Sequence, residues 1–580
     1  VEELAGMPKN WTIIPAWPEC AAAARRLGIH PLLAQVLHNR GVADPDAARL
    51  FLNPELKCLL APETLPGAVE AATIIARKIR ERRPIVIYGD YDVDGITATA
   101  ILWHLLTLAG ARVCFYVPNR LEEGYGVNAE ALRQIRQDGA DTVITVDCGI
   151  TAVKEAEIAR EIGLTLIITD HHSPGATLPE ADAIVHPTAA GAYANPDICG
   201  AGVAFKLAWA VARMLSQSER VKPEFRKFLI DATSLAALGT IADVVPLSGE
   251  NRILARFGLL GVNDTRLIGL RALIESARLS DQKIDSEHVG FWLAPRLNAA
   301  GRMGHARMAV ELLTLADAPR AREIAAYLES QNRGRQAVER QILKEACGMI
   351  DAGNLAGDAR RAIVLACEKW HAGVIGIVAS RIVDRYCRPT VLISLENGQG
   401  QGSARSIRNF KMHQALAECS DHLEAFGGHA MAAGLRIRHE NIESFTERFV
   451  ELANRTLTCK DLEPSLRLDA EIGLNDLPDA LVHELQRLQP FGVGNPKPKF
   501  ASGILQLAGE PRLVGKNGQH LQFALTDGRI TRKAIAFNQK DALRPLLDHR
   551  RCRVAFEPIL DTYNGRTSVK LQVIDMAFPE

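Results

Sequence analysis

The chain has 580 residues, 47% of them hydrophobic and 23% charged, with 68 Lys+Arg against 68 Asp+Glu. That length supports several cores, three or four domains by ordinary domain size, and the composition excludes collagen-like, fibrous and disordered classes. A net charge of zero excludes a strongly basic tail protein but not a nucleic-acid enzyme, because local patches rather than the sum meet a polyanion.

Residues 1–70 carry segments such as CAAAARRLGIHPLLAQVLHNRG and DPDAARLFL. Their apolar spacing predicts an N-terminal helical segment packed on the domain that follows. From Pro84, Val- and Ile-rich runs alternate with helical segments: PIVIYG, RVCFYVP, TVITVD and LTLIITD as strands, ITATAILWHLLTLAG, AEALRQIRQDG and AVKEAEIAREIG as helices. Continuous apolar strands in this alternation predict an α/β domain with a doubly wound parallel sheet over residues 71–315. DAPRAREIAAYLESQNRGRQAVERQILKEACGMI reads as one long polar-faced helix, a connector over 316–350, with Asp317 as its cap and Pro319 in its first turn.

A second α/β domain is predicted over 351–460. AIVLAC and PTVLISL are its strands and GVIGIVASRIVDRYC its helix, and the Gly-rich segments GQGQGSARS and FGGHAMAAGL follow. Over 461–580 the style changes to short strand-like runs, LQLAG, HLQFALTD, KAIAFN, CRVAFEPIL and SVKLQVIDM, with turns at Asn517-Gly518, Asp527-Gly528 and Asn564-Gly565. Five or so such strands suggest a small antiparallel barrel, an oligonucleotide-binding (OB-like) barrel being one candidate. Its 16 basic and 13 acidic residues from 465 onward leave it only slightly basic, so charge does not nominate it as a DNA binder.

Three polar clusters fall at the carboxyl ends of predicted strands. GDYDVDG carries Asp90, Asp92 and Asp94, VDCG carries Asp147, and TDHH carries Asp170, His171 and His172; Asp243 in IADVVP follows an apolar helix. In an open parallel sheet ligands bind beyond the carboxyl strand ends, so these groups are expected to converge. A single Asp at a strand end is ordinarily a helix cap or turn residue. Six carboxylates and two imidazoles in one crevice are another matter, since their repulsion must be relieved. Two divalent cations relieve it, and carboxylates with a little imidazole suit Mn²⁺ or Mg²⁺ better than a thiolate-seeking ion. A metal pair of this kind serves phosphoryl displacement.

GDYDVDG, VDCG, TDHH and IADVVP in this order resemble the motifs of the DHH phosphoesterase superfamily. LAPRLNAAGRMG, WHAGVIGIVASRI, GSARS, GGHAMAAGL and LQPFGVGNPKPKF are similar to its RecJ-type single-strand DNA exonucleases, from about residue 80 to the end. The resemblance implies a DHH catalytic domain, a DHH-associated domain and a DNA-binding OB-like barrel. It implies 5′→3′ hydrolysis of single-stranded DNA to nucleotide 5′-monophosphates, in DNA repair and recombination, with two Mn²⁺ or Mg²⁺ ions. By the motif, Asp92, Asp94, Asp147, His171, His172 and Asp243 hold the metals, with Asp90 as a further candidate. Asp147 is the expected bridge, and His172 either orients a ligand or serves the leaving group.

Arg302 in AAGRMG and Ser403 with Arg405 in GSARS resemble the family's phosphate-binding positions, and Arg grips phosphate bidentately. Arg408 lies in a stretch from Asn397 to Ala417 that contains no acid. His429 sits between small residues that permit close backbone approach. Arg120 could meet DNA and Tyr125 could stack on a base. Kinship alone suggests a single-strand binding protein and a RecQ-type helicase as partners of a monomer. Eleven cysteines without a CxxC pair, no apolar run near the roughly 18 residues of a membrane span, and the lack of a basic-then-apolar leader in VEELAGMPKNW give a cytoplasmic expectation with no membrane contact. Rival readings are a DHH phosphoesterase for pyrophosphate, cyclic dinucleotides or short oligonucleotides, and a non-catalytic replication scaffold.

Overall fold

The computed structural model describes residues 9–118, 126–189, 191–218, 220–302, 305–357, 359–563 and 566–579. The chain forms two compact units. One comprises Val42–Arg333 and Arg487–Lys497, the other Val1–Gly41, Gly334–Gln486 and Pro498–Glu580.

The first, the parallel-sheet unit, is built on five strands: β1 (Pro84–Tyr88), β2 (Arg112–Tyr116), β3 (Thr142–Val146), β4 (Thr165–Thr169) and β5 (Ala183–Val185). All neighbours pair in parallel in the order β2-β1-β3-β4-β5. The order reverses between β1 and β3, and a doubly wound sheet opens its ligand crevice at that reversal. Strand β3 is buried along its whole length, as continuous Val and Ile demand of a strand covered on both faces. Helix α1 (Val93–Leu108) is buried on nearly every side, among α2 (Gly200–Ser216) and α3 (Pro223–Ala242). The three-residue β5 was not anticipated.

The segment Arg487–Lys497 is held to this unit by Arg252, by Ser286, which donates to the Phe491 carbonyl at 2.6 Å, and by the Leu247 amide, which donates to the Val493 carbonyl at 2.8 Å. Arg252, 1% exposed, stacks on Phe51 and donates to the carbonyls of Phe51, Arg487, Leu488, Gln489 and Pro490. A buried guanidinium is tolerable because its charge is spread over oriented carbonyl dipoles.

In the other unit, the barrel unit, β6 (Ile363–Cys367) and β7 (Thr390–Glu396) are parallel. Antiparallel strands β8 (Gln399–Arg405), β9 (Ala425–Gly428) and β10 (Ala432–Arg438) complete the order β9-β10-β8-β7-β6. The Gly-rich segments GQGQGSARS and FGGHAMAAGL therefore lie largely in strands. The reason lies in packing: a Cβ on Gly400 would meet Ile393 and Ile437 at 2.7 and 2.9 Å, and one on Gly402 would meet Leu435 at 2.6 Å. The long helix runs from Ala318 to Ala352, 35 residues. Its later turns pack Ile342, Ala346 and Ile350 against Ile363, Leu365 and Trp370.

The C-terminal strands close on themselves. Leu505–Leu507, His520–Thr526, Thr531–Ala536, Arg566–Ala577 and Arg551–Tyr563 pair successively and the last pairs back to the first, a five-stranded barrel. Turns fall at Asn517-Gly518 and Asp527-Gly528 as the sequence suggests, whereas Asn564-Gly565 lies outside the described residues. Phe500, Phe523 and Phe556 fill the interior; Phe537 is 39% exposed.

The first 70 residues do not form one segment packed on the following domain. Asn10–Ile13 is a strand paired in parallel with Ser465–Leu468, and Trp11 and Ile13 pack on Leu466, Leu468, Ala501 and Ala555. Asn39 donates to Asp469 at 3.0 Å. Residues up to Gly41 thus belong to the barrel unit, because their apolar partners lie some 450 positions away, beyond the reach of local periodicity. All eleven cysteines are free thiols. Among the described residues no single helix is long and apolar enough to cross a membrane.

Candidate metal centre

The acidic loop after β1 starts α1. Asp92 caps it, accepting from the amides of Asp94 at 2.9 Å and Gly95 at 3.1 Å. The cap places Asp94 in the first turn, facing the amino end of α2, where its carboxylate accepts from Gly200 N at 2.5 Å and Ala201 N at 2.8 Å. Two amides at a helix start favour an anion, which partly offsets its 2% exposure.

Asp147, directly after β3, adopts a left-handed φ of +62°. That conformation turns its carboxylate back over the strand end, where it is 1% exposed. The approach is permitted by Gly200, whose Cβ would lie 2.7 Å from both Asp147 Cβ and Oδ1. His171, after β4, brings Nε2 to 3.1 Å from Asp147 Oδ1, and to 3.7 Å from Asp94 Oδ2 and from Asp243 Oδ2. Asp243 ends α3 as its C-cap. A carboxylate at the negative end of a helix is repelled by the helix dipole unless a cation neutralises it.

Asp170 is absent from the ligand set drawn from the sequence, yet it organises the turn. Its Oδ1 accepts from the amides of His171 and His172 at 2.7 and 3.1 Å and meets His172 Nδ1 at 2.8 Å, while Oδ2 accepts from Ile150 N at 3.0 Å. Buried His186 accepts at Nδ1 from Thr188 N, so its Nε2–H donates to the His172 carbonyl at 2.8 Å. Gly200, Gly239 and Asn298 also went unseen. Gly239 leaves room for Asp94 Oδ1, and Asn298 accepts from Val93 N at 3.1 Å. Only contacts distant in sequence reveal them.

The electrostatics follow from crowding. Burial, then Asp92, pushes the Asp94 carboxyl up to about 6. Burial, then Asp94, pushes Asp243 up to about 8. Asp147 is raised well above the carboxylate range by burial and by the surrounding acids. Burial and the neighbouring His172 lower His171 to about 4. For His172 burial alone would lower the value, but the Asp170 hydrogen bond and charge outweigh it and raise it to about 9.

Three ligand sets emerge, each with donor atoms within 4.8 Å of one another: Asp147, His171 and His172; Asp94, His171 and Asp243; Asp90, Asp92 and Asp147. Asp147 Oδ1 and His171 Nε2 are buried and accept no hydrogen bond. Oxygen-rich sets with one or two imidazoles, and two facing buried atoms left without a hydrogen-bond partner, fit a pair of hard divalent cations. Gly200→Ala should raise the Mn²⁺ concentration for half-maximal activity about 10- to 100-fold, the cost of displacing a ligand's support. Titration of activity against Mn²⁺ checks this, and an unchanged requirement would separate Gly200 from the site.

Arg120 and Tyr125 lie outside the described residues, as does the Arg302 side chain, although the backbone of Arg302 ends the helix Ala294–Arg302. The remaining candidates belong to the barrel unit. Arg405 on β8 donates to Ser403 Oγ at 3.1 Å and the Ala404 carbonyl at 2.8 Å, and burial alone lowers its pKa. Arg408 and His429 are exposed. Trp370 is core, and His371 caps the following helix through Gly373 N.

A doubly wound sheet with this acidic cluster at its switch point defines a metal-dependent phosphoesterase of the DHH class. The DHH family N-terminal domain matches residues 84–240, the DHHA1 domain 360–455 and the RecJ OB domain 468–575. The chain is 38% identical over 571 residues to the single-stranded-DNA-specific exonuclease RecJ of Bacillus subtilis, covering 98% of this chain and 70% of that protein. Crystal structures of RecJ from Thermus thermophilus superpose with a TM-score of 0.83 in complex with Mn²⁺ and 0.77 in complex with Mg²⁺. Sequence identities are 32% and 30%, over 98% of this chain in each case and 80% and 79% of those chains. The chain belongs to the RecJ family of single-stranded-DNA-specific exonucleases.

Proposed function

We infer that the chain digests single-stranded DNA from its 5′ end, hydrolysing phosphodiester bonds and releasing nucleotide 5′-monophosphates, in repair and recombination. The observation that carries the hydrolytic reading is the meeting of Asp147 Oδ1 and His171 Nε2 at 3.1 Å, both buried and both without a hydrogen-bond partner, within a ring of acids. Asp90, Asp92, Asp94, Asp147, His171 and Asp243 would hold two Mn²⁺ or Mg²⁺ ions in this reading, and His172, the remaining motif residue, serves the leaving group instead of a metal. Bound there, such ions would supply Lewis acidity at the phosphoryl oxygens and a water nucleophile at neutral pH.

The chain's own groups do the rest. Asp170 anchors His172 through Nδ1 and keeps it protonated, so its second proton sits at Nε2 on a side chain 38% exposed. That proton stabilises charge on the departing oxygen. Arg405, beside Ser403 and poorly solvated, is suited to a terminal phosphate, as is Arg302 by its motif, with Arg408 and His429 as further strand contacts, Arg120 meeting DNA and Tyr125 stacking on a base. The domain reading is 71–315 for catalysis, 316–350 as connector, 351–460 as the DHH-associated domain and 461–580 as the DNA-binding barrel. The family matches at 84–240, 360–455 and 468–575 support it. Kinship supports a cytoplasmic monomer that works with a single-strand binding protein and a RecQ-type helicase.

Incubating the purified chain and Mn²⁺ with a long single strand, its blunt duplex and a dinucleotide tests the reading. The single strand should be shortened from its 5′ end to mononucleotides while the duplex resists. Equal digestion of duplex and strand would overturn it, and cleavage of the dinucleotide alone would favour a small-substrate phosphoesterase.

A further inference from the structure

Two aromatic side chains near the metal cluster face solvent. In the parallel-sheet unit a π-helical turn, Val289–Leu293, runs directly into the helix Ala294–Arg302. Val289 and Leu293 are completely buried and anchor the turn, while Phe291 is 71% and Trp292 46% exposed. Leaving two adjacent large rings in water forgoes their burial, and π turns, rare bulges within α-helices, are frequent at functional sites.

The turn and the helix that continues it pack on elements that carry the metal cluster. A Cβ on Gly290 would lie 3.9 Å from Ile241 Cγ2, two residues before Asp243. The helix that continues the turn reaches the acidic loop, where Asn298 accepts from Val93 N and Gly301 packs on the Tyr91 carbonyl. Val244, next to Asp243, is 63% exposed and holds a left-handed φ of +63°. A β-branched side chain rarely adopts that conformation, and such strain concentrates at functional sites.

Charge points the same way. From His288 to Val310 the sequence contains no acidic residue but has Arg296, Arg302 and Arg307. Arg296 is engaged by Glu329 at 2.7 Å, and Arg307 is exposed. Exposed rings on an acid-free, Arg-bearing segment suit a polyanion that also offers flat apolar faces, which describes an unpaired nucleic acid strand.

We propose that Phe291 and Trp292 form a base-stacking platform for the single strand, beside the metal cluster. The proposal rests on the exonuclease reading and adds the residues that take the bases. Any base offers a ring face, so the platform is tolerant of sequence. A duplex keeps its bases stacked and paired, so the platform also favours single strands.

The test is binding, in EDTA to prevent cleavage, of a 5′-phosphorylated oligothymidylate and of an equally long strand in which every sugar is abasic. The unaltered chain should prefer the thymidylate. Phe291→Ala with Trp292→Ala should weaken thymidylate binding about 5- to 100-fold, the range for lost base–aromatic stacks, and leave abasic binding unchanged. Phe291→Tyr, which keeps the ring, should retain the preference. Equal losses on both strands would mean a backbone or structural effect, and no loss on either would mean a patch for another partner; both results overturn the platform. If the unaltered chain neither binds nor cleaves single strands, the exonuclease reading itself falls.

Discussion

Asp147→Asn is expected to abolish cleavage while leaving the chain folded and able to hold DNA. Asp147 is the acid common to two of the three ligand sets, and its Oδ1 lies 3.1 Å from His171 Nε2. Asparagine matches it in size and tolerates the left-handed φ of +62°, so the change removes charge and ligand strength without reshaping the turn. Losing an acid common to two candidate ligand sets would forfeit several kcal/mol of transition-state stabilisation, roughly a 10³-fold or greater fall in kcat at about 1.4 kcal/mol per tenfold. Stability should move the other way. The carboxylate is buried among acids that raise its pKa, so the metal-free variant should melt at or above the temperature of the unaltered chain. Single-turnover kinetics with excess Mn²⁺, paired with melts in EDTA, check both halves. A variant that turns over normally removes Asp147 from the metal site, and one that is inactive only because it is unfolded leaves the loss without a catalytic meaning.

How much of this was legible in the sequence depends on the range of the interaction. PIVIY, TVITV and LTLIIT announce buried parallel strands because both faces must be apolar, and the acids stand at their ends because a doubly wound sheet puts its crevice there. Asp90 through Asp243 could therefore be gathered into one site from spacing and motif. What could not be read depends on contacts distant along the chain. Glycine is depleted in strands, so GQGQGSAR gives no strand signal until Ile393, Ile437 and Leu435 are seen to occupy the space its missing side chains leave. Asn10–Ile13 is too short to show a period, and its partner is Ser465–Leu468. Asp170 was visible in TDHH, but its four contacts make it the organiser of the turn rather than a ligand, a role that hydrogen bonds reveal and composition does not. Gly200 carries no signal at all, since its necessity comes from Asp147, 53 positions earlier.

The same crowding predicts that the metal-free chain loses stability as pH rises and that Mn²⁺ reverses the trend. Asp94 and Asp243 carry folded-state pKa values of about 6 and about 8 against an ordinary 3.8. A raised folded value means that the native state binds more protons than the unfolded state, so the stabilising contribution is complete below about pH 4 and is lost as pH climbs through about 8. His172, raised to about 9, acts in the same direction above its ordinary 6.5. His171, lowered to about 4, opposes it, but only between about 4 and 6.5, where the unfolded imidazole takes up the proton. The net decline in EDTA should therefore be steepest from about pH 6.5 to 8. Bound cations need the ionised carboxylates and stabilise by mass action, so their effect grows as protons leave. Thermal melts across this interval, with EDTA and with Mn²⁺, should show a gap in melting temperature that widens with pH. Asp243→Asn removes one of the titrating acids and should flatten the EDTA slope. A gap that is constant with pH, or an EDTA curve that rises from about pH 6.5 to 8, would show that these acids are not held together against their own repulsion, and the metal centre would lose its physical basis.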